Sequence, residues 1–467
     1  MLVIACDFGI SELLALGAGA ETDVRINAGE PVYNSEFALA ETSAAVLAAI
    51  AAAVNEIWQL KTGRAQQAIV DGRCAATALD SYRFLQRRGR SGQYETLANS
   101  PAAENAYRIT KPFPTRDGRW FLPHFGLLHL KSKMLKLLNC TDNPESVAAS
   151  IARWESFSLE DAVAGIGACG GVVRSPDEWL DHPQGRAVAT APVIAIEKIA
   201  DSEARPFRTD GPPLHGVRVL DLTRILAGPV AARTCAEQGA DVLMIAAQHT
   251  PQIKNFVMDL SHGKRSCFLD LDEKSDAAVL RSLVSGCDVF SQGYRPGALQ
   301  ARGFGAHELA AICPGIIYLT TSCYGQHGPW AERAGWEQVA QAVSGICHEV
   351  DPQCPGLLPV NACDYITGYL GAYGILLALL RRAREGGSYH VNVSLCQTAM
   401  FLGRQSRRLP GAEVSPLSDA EIALFQTQSE TAYGSLRHLA PVINFSETKA
   451  QWLRPTPALG SDLPHWL

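Results

Sequence analysis

The sequence contains no pair of cysteines spaced two residues apart, although it has 13 cysteines among 467 residues. An odd number of thiols without such pairs does not suit a disulfide framework and is typical of a reducing compartment. The pattern predicts reduced thiols, a cytoplasmic protein and no bound metal.

An excess of positive charge is also missing. The net charge of −6 gives no reason to expect nucleic acid or an anionic membrane surface as a partner. The start, MLVIACDFGI, has no basic segment and reaches Asp7 early, so it makes a poor signal peptide. The most apolar segment, residues 365–380, is glycine-rich and slightly short for a bilayer, which favours a buried core helix.

A third absence concerns nucleotide cofactors. No GxGxxG motif follows the first strand after the Pro- and charge-rich linker at 200–213, and Ala246-Ala247 follow the second, where a ribose-binding acid is expected. The pattern therefore disfavours a nicotinamide cofactor. The alternation of strand and helix patterns in this region nevertheless predicts a doubly wound parallel sheet, which binds ligands beyond the carboxyl ends of its strands. The predicted strands are 217–222, 242–245, 266–271, 288–291 and 316–320, and the predicted helices are 230–238, 277–285 and 307–312.

The composition is that of a globular protein with ample core, since 47% of residues are apolar and 19% are charged. In the N-terminal half, an Ala-rich helix from Thr42 ends at Gly63, and a strand follows at 66–71. The polar stretch after it, to Asn105, is interpreted as a linker. Asp117-Gly118 predicts a hairpin turn, and amphipathic helices follow around 135, at 144–154 and at 159–165.

The most informative stretch runs from Asp364 to Leu395. Asp364 stands where an N-cap belongs, and its carboxylate would face the positive end of the helix dipole and stay ionised. Gly368, Gly371 and Gly374 recur at helical spacing, which lets another backbone approach closely. On local pattern alone, Asp364 is an ordinary N-cap.

An internal repeat relates this stretch to the N-terminal half. CQTA at 396–399 aligns with CAAT at 74–77, an offset of 396 − 74 = 322. The same offset sets Thr42 opposite Asp364, with Glu41 one position away. In this alignment the first copy has lost the acid.

Residues 214–402 contain, in this order, the blocks GVRVLDLTRILAGP, EQGADVLMI, SHGKRSCFLDL, YRPGALQARGFG, CYGQHGPW, GWEQVAQAVSG and DYITGYL…GGSYHVNVSL. Through these blocks the region resembles a class III CoA-transferase, the group that includes formyl-CoA transferase, carnitine–CoA transferase and α-methylacyl-CoA racemase. DGRWFLPHF through SPDEWLDHPQGR resembles the family's small domain, and APVINFSETKAQWLRPTPALGS its closing segment.

The resemblance implies an α/β fold: a Rossmann-like parallel sheet with a smaller α+β domain, built from two partial copies in permuted order. We divide the chain into 1–110, a partial copy plus linker; 111–205, the small domain; 206–410, the CoA-binding domain with the catalytic Asp; and 411–467, a closing segment that packs on the large domain.

The resemblance also implies that Asp364 is the nucleophile of a CoA-transferase. Moving CoA between acids needs a carboxylate that attacks an acyl thioester and forms a mixed anhydride. The released thiolate then gives an aspartyl-CoA thioester, which the acceptor carboxylate resolves. Backbone N–H groups at the helix start would stabilise the oxyanions. The implied substrates are acyl-CoA and a small carboxylic acid, with no permanently bound cofactor.

CoA sites in the family lie on loops that follow the sheet strands. Lys264 and Arg295 are suited to phosphate and Tyr294 to stacking on adenine. Glu337 matches a position that is often acidic in transferases; it is either a catalytic acid behind the nucleophile or a helix-surface acid. The residues placed in the CoA site are Ile225, Leu226, Ala227, Lys264, Gly293, Tyr294 and Arg295.

Two alternatives stay open. Racemisation needs a base pair, and family racemases place a histidine where this chain has Trp336, so proton abstraction lacks one partner. His327 and His348 lie off the motif. A non-catalytic CoA-binding protein is the other alternative, because both copies are incomplete. The family's interlocked dimers imply a homodimer here, or a pseudo-dimer within one chain.

Overall fold

Four β-sheets and the helices around them form the computed structural model, which describes residues 7–17 and 23–467. The N-terminal elements are α1 Ile10–Leu14, β1 Asp23–Asn27, α2 Leu39–Thr62, β2 Gln67–Asp71, α3 Gly72–Thr77, a 3-10 helix Ala78–Phe84, β3 Gln86–Arg88 and β4 Tyr94–Thr96. A second group comprises α4 Pro101–Ile109, β5 Phe113–Pro114, β6 Trp120–Pro123, α5 Leu128–Leu138, α6 Pro144–Ile151, α7 Ser156–Gly165, β7 Gly170–Val172, α8 Pro176–Asp181, α9 Pro183–Ala189 and β8 Ala195–Ala200.

The C-terminal half contains the large sheet and a closing segment. Its first elements are β9 Arg218–Leu222, α10 Ala227–Glu237, β10 Asp241–Ala246, α11 Lys254–Leu260, β11 Lys264–Phe268, α12 Lys274–Val284, β12 Val289–Gln292, a 3-10 turn Gln300–Arg302, α13 Ala306–Ile312 and β13 Ile317–Ser322. The remainder are α14 Glu337–Val343, α15 Ile346–Val350, α16 Ala362–Glu385, β14 Ser388–Ser394, α17 Leu395–Gly403, α18 Asp419–Phe425, β15 Gln426–Thr431, β16 Gly434–Leu439 and β17 Ile443–Phe445.

The large sheet has the order β11-β10-β9-β12-β13-β14-β8. Its first six strands are parallel, and β8 pairs antiparallel at the edge. The order reverses between β9 and β12, which is where doubly wound sheets bind ligands. This sheet confirms the predicted α/β class and the five predicted strands, whose ends shift by at most three residues.

Helix α16 is the central helix of the core, packed between α10 and α2. A Cβ on Gly368 would lie 2.5 Å from the Ala227 carbonyl oxygen, and one on Gly374 would lie 2.6 Å from a Val391 methyl carbon. The glycines therefore permit the close approach that their spacing predicts.

The N-terminal elements repeat part of the large sheet. Helices α2 and α16 are both 24 residues long, and their starts differ by 362 − 39 = 323. The starts of α3 and α17 differ by 395 − 72 = 323 as well. The sequence-based offset of 322 is therefore wrong by one residue, and Glu41, not Thr42, occupies the position of Asp364. The first copy has kept an acid there.

The two copies exchange their edge strands. In the large sheet, β13 and β14 are parallel, and β8, which follows the first copy in sequence, closes them antiparallel with Val391 opposite Ile196. In the small N-terminal sheet, β1 and β2 are parallel, and β17, which follows the second copy, closes them with Val70 opposite Ile443. Each copy thus completes the sheet of the other.

Three sequence-based boundaries need correction. The stretch interpreted as a linker forms β3, β4 and α4, because Leu85 and Ile109 are buried anchors. Strand β8, assigned to the small domain by the boundary at 205, lies in the large sheet. The closing segment packs on both copies: β16 pairs with β3, whereas Asp462 accepts a hydrogen bond from the Ser266 N–H beside the large sheet.

Helices α2 and α16 are long and apolar enough to cross a bilayer by length and composition, but 83% and 100% of their apolar windows are buried within the fold. Core helices of globular proteins pass the same test.

Candidate active site

A cavity of about 490 Å³ opens at the point where the order of the large sheet reverses. Its floor comes from the loops after β9 and β12, and the small domain contributes Leu127, Leu130 and Cys169. Asp364 is the one acid among the described residues that line it. One cavity therefore brings together parts of the large sheet and the small domain.

Asp364 is the third residue of α16, and Asn361 is the N-cap. The prediction that Asp364 caps the helix is therefore wrong. Its side chain lines the cavity, and the residue is 6% exposed.

Glu337, the first residue of α14, performs the capping instead. Its carboxylate accepts hydrogen bonds from the backbone N–H groups of Asp364 and, at 3.1 Å, Cys363. A third bond comes from the Gln341 side chain. Glu337 is 1% exposed, which excludes a helix-surface acid. These two N–H groups are occupied and do not supply the oxyanion contacts that the sequence predicts.

The two carboxyl groups influence each other's titration. Burial and the neighbouring Glu337 carboxylate hold the pKa of Asp364 well above its ordinary value. Burial raises the pKa of Glu337 to about 7, although hydrogen bonds from Gln341 and the backbone oppose the shift. The expectation that the helix dipole alone keeps Asp364 ionised is therefore wrong, because Glu337 occupies the N–H groups that would favour its charge.

The structure brings six of the seven residues predicted for CoA to the cavity beside Asp364: Ile225, Leu226, Ala227, Gly293, Tyr294 and Arg295. Ile225 has φ of 73°, a left-handed conformation that is strained for a β-branched residue. Such strain is concentrated at functional sites, and here it lies in the loop that leads into α10.

Lys264 is the exception. Its ammonium is 0% exposed and lies 2.8 Å from the Asp221 carboxylate and 2.9 Å from the Pro229 carbonyl oxygen. The prediction that Lys264 binds phosphate is therefore wrong, because its charge is buried and paired. Its contacts join β9, β11 and the start of α10 beneath the cavity.

A smaller recess of about 170 Å³ adjoins the cavity and shares Leu222, Tyr294 and Ala298 with it. The recess lies at the carboxyl ends of β9, β10 and β11. The two spaces together form an elongated site, and the Tyr294 ring lies where they meet.

Sequence analysis missed three basic residues of the cavity: His129, Arg224 and Arg333. Arg224 lies in the quoted block TRILAGP, whereas His129 comes from the small domain and had no sequence signal. The Arg333 guanidinium lies 3.1 Å from the Asp161 carboxylate and stacks on Trp330. His327 and His348 do not line the cavity. Within 7–17 and 23–467, no group of three or more His, Cys, Asp or Glu side chains is arranged to bind a metal.

Comparison with known proteins shows which family the second half of the chain resembles. Residues 214–409 match the family model for CoA-transferase family III. An acyl-CoA transferase of Gibberella moniliformis is 32% identical over 64% of this chain and 57% of its own length. Acetyl-coenzyme A transferase nodX of Hypoxylon pulicicidum is 39% identical over 48% of this chain and 37% of its own length. Succinyl-CoA:glutarate CoA-transferase of Homo sapiens is 35% identical over 39% and 45%, respectively.

A crystal structure of Rv3272 from Mycobacterium tuberculosis is 30% identical, covers 41% of this chain and 56% of that chain, and has a TM-score of 0.40. The chain spans between about a third and three fifths of the three curated relatives described above. Residues 214–409 are therefore similar to CoA-transferase family III.

Proposed function

We propose that this protein is a CoA-transferase that moves CoA between carboxylic acids, with Asp364 as the nucleophile. The observation that carries the proposal is the Asp364 carboxylate, which lines the cavity at the reversal point of the sheet beside six residues expected at CoA. The relatives' names, acyl-CoA transferase, acetyl-coenzyme A transferase and succinyl-CoA:glutarate CoA-transferase, support CoA thioesters as substrates.

The reaction proceeds through covalent intermediates on Asp364. A carboxylate oxygen attacks the thioester carbonyl carbon, the C–S bond breaks, and an aspartyl anhydride and CoA thiolate form. The thiolate attacks the aspartyl carbonyl carbon, which gives an aspartyl-CoA thioester and releases the donor acid. The acceptor carboxylate repeats both exchanges in reverse and leaves as its CoA thioester. No redox partner or net proton transfer is needed.

Two arginines of the cavity suit the phosphates of CoA. Arg295 is exposed on the loop after β12, and Arg224 lies on the loop after β9. Guanidinium groups form charge-assisted bonds to phosphate. Tyr294, between the cavity and the recess, offers a stacking surface for adenine. The proposed role of Glu337 is to hold the first turn of α16 and set the protonation of Asp364.

The test is a panel of acyl-CoA donors and acid acceptors, with the intact protein's mass measured during turnover. Wild type should gain the mass of CoA less one water on Asp364, and Asp364→Asn should lose turnover by several orders of magnitude. Glu41→Gln is the matched control, because Glu41 has the same position in α2 and should keep wild-type turnover. Wild-type transfer by Asp364→Asn would refute the assignment. CoA binding without transfer by wild type would instead favour a non-catalytic protein.

One observation favours racemisation as a second candidate function. His129 brings an imidazole into the cavity of Asp364, although Trp336 stands where family racemases have histidine. Incubation of a 2-methylacyl-CoA in deuterium oxide distinguishes the two reactions. Racemisation exchanges the α-proton without an acceptor acid, whereas CoA transfer requires the acceptor and leaves that proton in place.

We also propose that the working unit is a pseudo-dimer within one chain and that it acts in the cytoplasm. The exchanged strands β8 and β17 support the pseudo-dimer. Each strand pairs with the sheet of the other copy, as strands exchanged between two subunits of a dimer would do. The 13 cysteines, of which the 12 described are free thiols, support the cytoplasmic location.

A further inference from the structure

A chain of hydrogen bonds runs from the small domain to the first copy behind the cavity. The His124 Nε2 lies 3.1 Å from the Gln338 amide oxygen, and the Gln338 amide nitrogen donates to the Asn361 oxygen at 3.2 Å. The Asn361 amide nitrogen donates to Asp80 Oδ1 at 3.1 Å and to the Tyr82 hydroxyl at 3.3 Å. Five side chains thus connect three parts of the molecule.

The direction of every bond in this chain is defined. The backbone N–H of Gly126 donates to His124 Nδ1 at 3.2 Å, so the ring proton lies on Nε2 and His124 donates to Gln338. Each following amide accepts through oxygen and donates through nitrogen. The series ends at the carboxylate of Asp80, which is 1% exposed and paired with Arg83 at 2.6 Å. Bonds aligned in one direction polarise and strengthen one another.

This chain of hydrogen bonds contacts both the cavity wall and the residues that cap the first turn of α16. The His124 ring stacks on Trp336 with centroids 4.5 Å apart, and Trp336 lines the cavity. Gln338 follows Glu337, whose carboxylate caps the first turn of α16. Asn361 is the N-cap of α16, three residues before Asp364. The contacts therefore fix the two elements that place Asp364 and its facing wall.

Asp80 and Tyr82 belong to the 3-10 helix that follows α3 in the first copy. The first copy lacks counterparts of β9 to β12 in the described residues and does not line the cavity. Its contact with Asn361 nevertheless reaches the turn that carries the proposed nucleophile.

From these contacts we propose that Asp80, Asn361, Gln338 and His124 are positioning residues, through which the first copy fixes the Trp336 wall and the Asp364 turn in their working arrangement. The first copy is then a functional part of the site. The kinetic part of this inference rests on the proposed CoA transfer.

The experiment combines turnover with ¹⁹F NMR of full-length protein labelled with 5-fluorotryptophan, in which Trp336→Phe assigns the Trp336 signal. Asp80→Leu removes the acceptor at the end of the chain, and Gln338→Met breaks the chain at its centre with little change in side-chain length. Both variants should move the Trp336 resonance and lower kcat about tenfold, because small displacements of reacting groups are costly. KM for acyl-CoA should change by less than about twofold, since the CoA loops are not displaced.

Two variants separate positioning from simple loss of stability. Asp80→Asn keeps an oxygen that accepts from Asn361, so it should recover most of the turnover and the wild-type resonance. Asn55→Ala removes a buried bond of 3.1 Å to the Gln66 carbonyl, entirely inside the first copy. It should lower thermal stability but leave kcat and the Trp336 resonance unchanged.

Wild-type kcat and an unmoved resonance in both Asp80→Leu and Gln338→Met would overturn the inference. So would a kcat loss in Asn55→Ala as large as that in Gln338→Met, because any destabilisation would then be sufficient. If wild type transfers no CoA with any acid, the proposed function fails, and the resonance shifts alone decide whether the first copy positions Trp336.

Discussion

Glu337 and Asp364 are separated by 26 residues in sequence, yet one carboxylate caps the turn that carries the other. The pair illustrates a conflict at the scale of single residues. Capping holds the first turn of α16 in place, but a second buried carboxyl group opposes ionisation of Asp364. The ionised fraction of Asp364 at a given pH then depends on the charge of Glu337.

This conflict gives a pH prediction for Glu337→Gln. In wild type, kcat/KM should rise with pH as Asp364 loses its proton, because its pKa is raised by burial and by Glu337. Removing the charge of Glu337 removes one cause of the raised pKa of Asp364. The acid limb of the kcat/KM profile should therefore move to lower pH. An acid limb that moves upward or stays in place would show that Glu337 does not set the protonation of Asp364.

Lys264 gives a second prediction at this scale. Lys264→Met leaves the buried Asp221 carboxylate without its cation and should lower the free energy of unfolding by about 3–5 kcal/mol. Arg295→Ala, on the exposed loop, should weaken CoA binding with little change in stability. Chemical denaturation and calorimetric CoA titration measure the two effects. An unchanged unfolding midpoint in Lys264→Met would contradict the structural role.

Residue positions were predictable where a residue directly follows a strand end. Ile225 and Tyr294 follow β9 and β12 and line the cavity, as the alternation and the family blocks together predict, whereas their contact with CoA stays a prediction. The pairing of Lys264 with Asp221 was not predictable, because it joins residues 43 positions apart on β11 and β9, which β10 separates in the sheet. A lysine in a phosphate-binding loop and a lysine that neutralises a core aspartate look the same in a sequence.

At the scale of elements, the close contact between α10 and α16 places the cavity loop. Ala227, which lines the cavity, presents its carbonyl oxygen to Gly368, where a methyl group would lie at 2.5 Å. The packing of two helices and the shape of the site are therefore linked through one glycine.

Gly368→Ala should lower the free energy of unfolding by about 1–3 kcal/mol, because the added methyl group overpacks the helix pair. It should also weaken CoA binding, since the loop at Ala227 must move. Gly403→Ala is the matched control: Gly403 ends α17, and a Cβ there meets nothing within 4 Å. Equal stability of the two variants, measured by urea denaturation, would show that the helices separate without cost.

The regular elements were largely predictable because their periodicity is local. The exchange of strands was not predictable from the sequence, because β8 and β17 are short edge strands whose partners lie in the other copy. The repeat offset was also missed by one residue, because matching cysteines in CAAT and CQTA outweighed the helix lengths. That single residue decides whether Thr42 or Glu41 is the counterpart of Asp364.

At the scale of the whole molecule, two partial copies supply one set of parts. The second copy contributes the large sheet and Asp364, and the small domain that follows the first copy contributes Leu127, His129 and Leu130 to the same cavity. One chain therefore encloses a cavity with components from the second copy and from the small domain.

This arrangement predicts a monomer in solution. Light scattering of the 467-residue chain should give a mass near 50.2 kDa, with full CoA-transfer activity in the monomer peak. Strands β8 and β17 already occupy the positions beside β14 and β2 that strands exchanged from a second chain would otherwise fill. A mass near twice that value, with activity confined to it, would contradict the intrachain pseudo-dimer and restore an interlocked homodimer.

The exchanged edge strands also affect the order in which the protein is completed during translation. Val70 pairs with Ile443, 443 − 70 = 373 positions later, so the ribosome releases β2 long before its antiparallel neighbour exists. Until then, the N-terminal sheet carries an open edge, the feature that invites pairing with other chains. The nascent first copy therefore exposes one unpaired side of β2 throughout synthesis of the second copy, until the three residues of β17 pair with it.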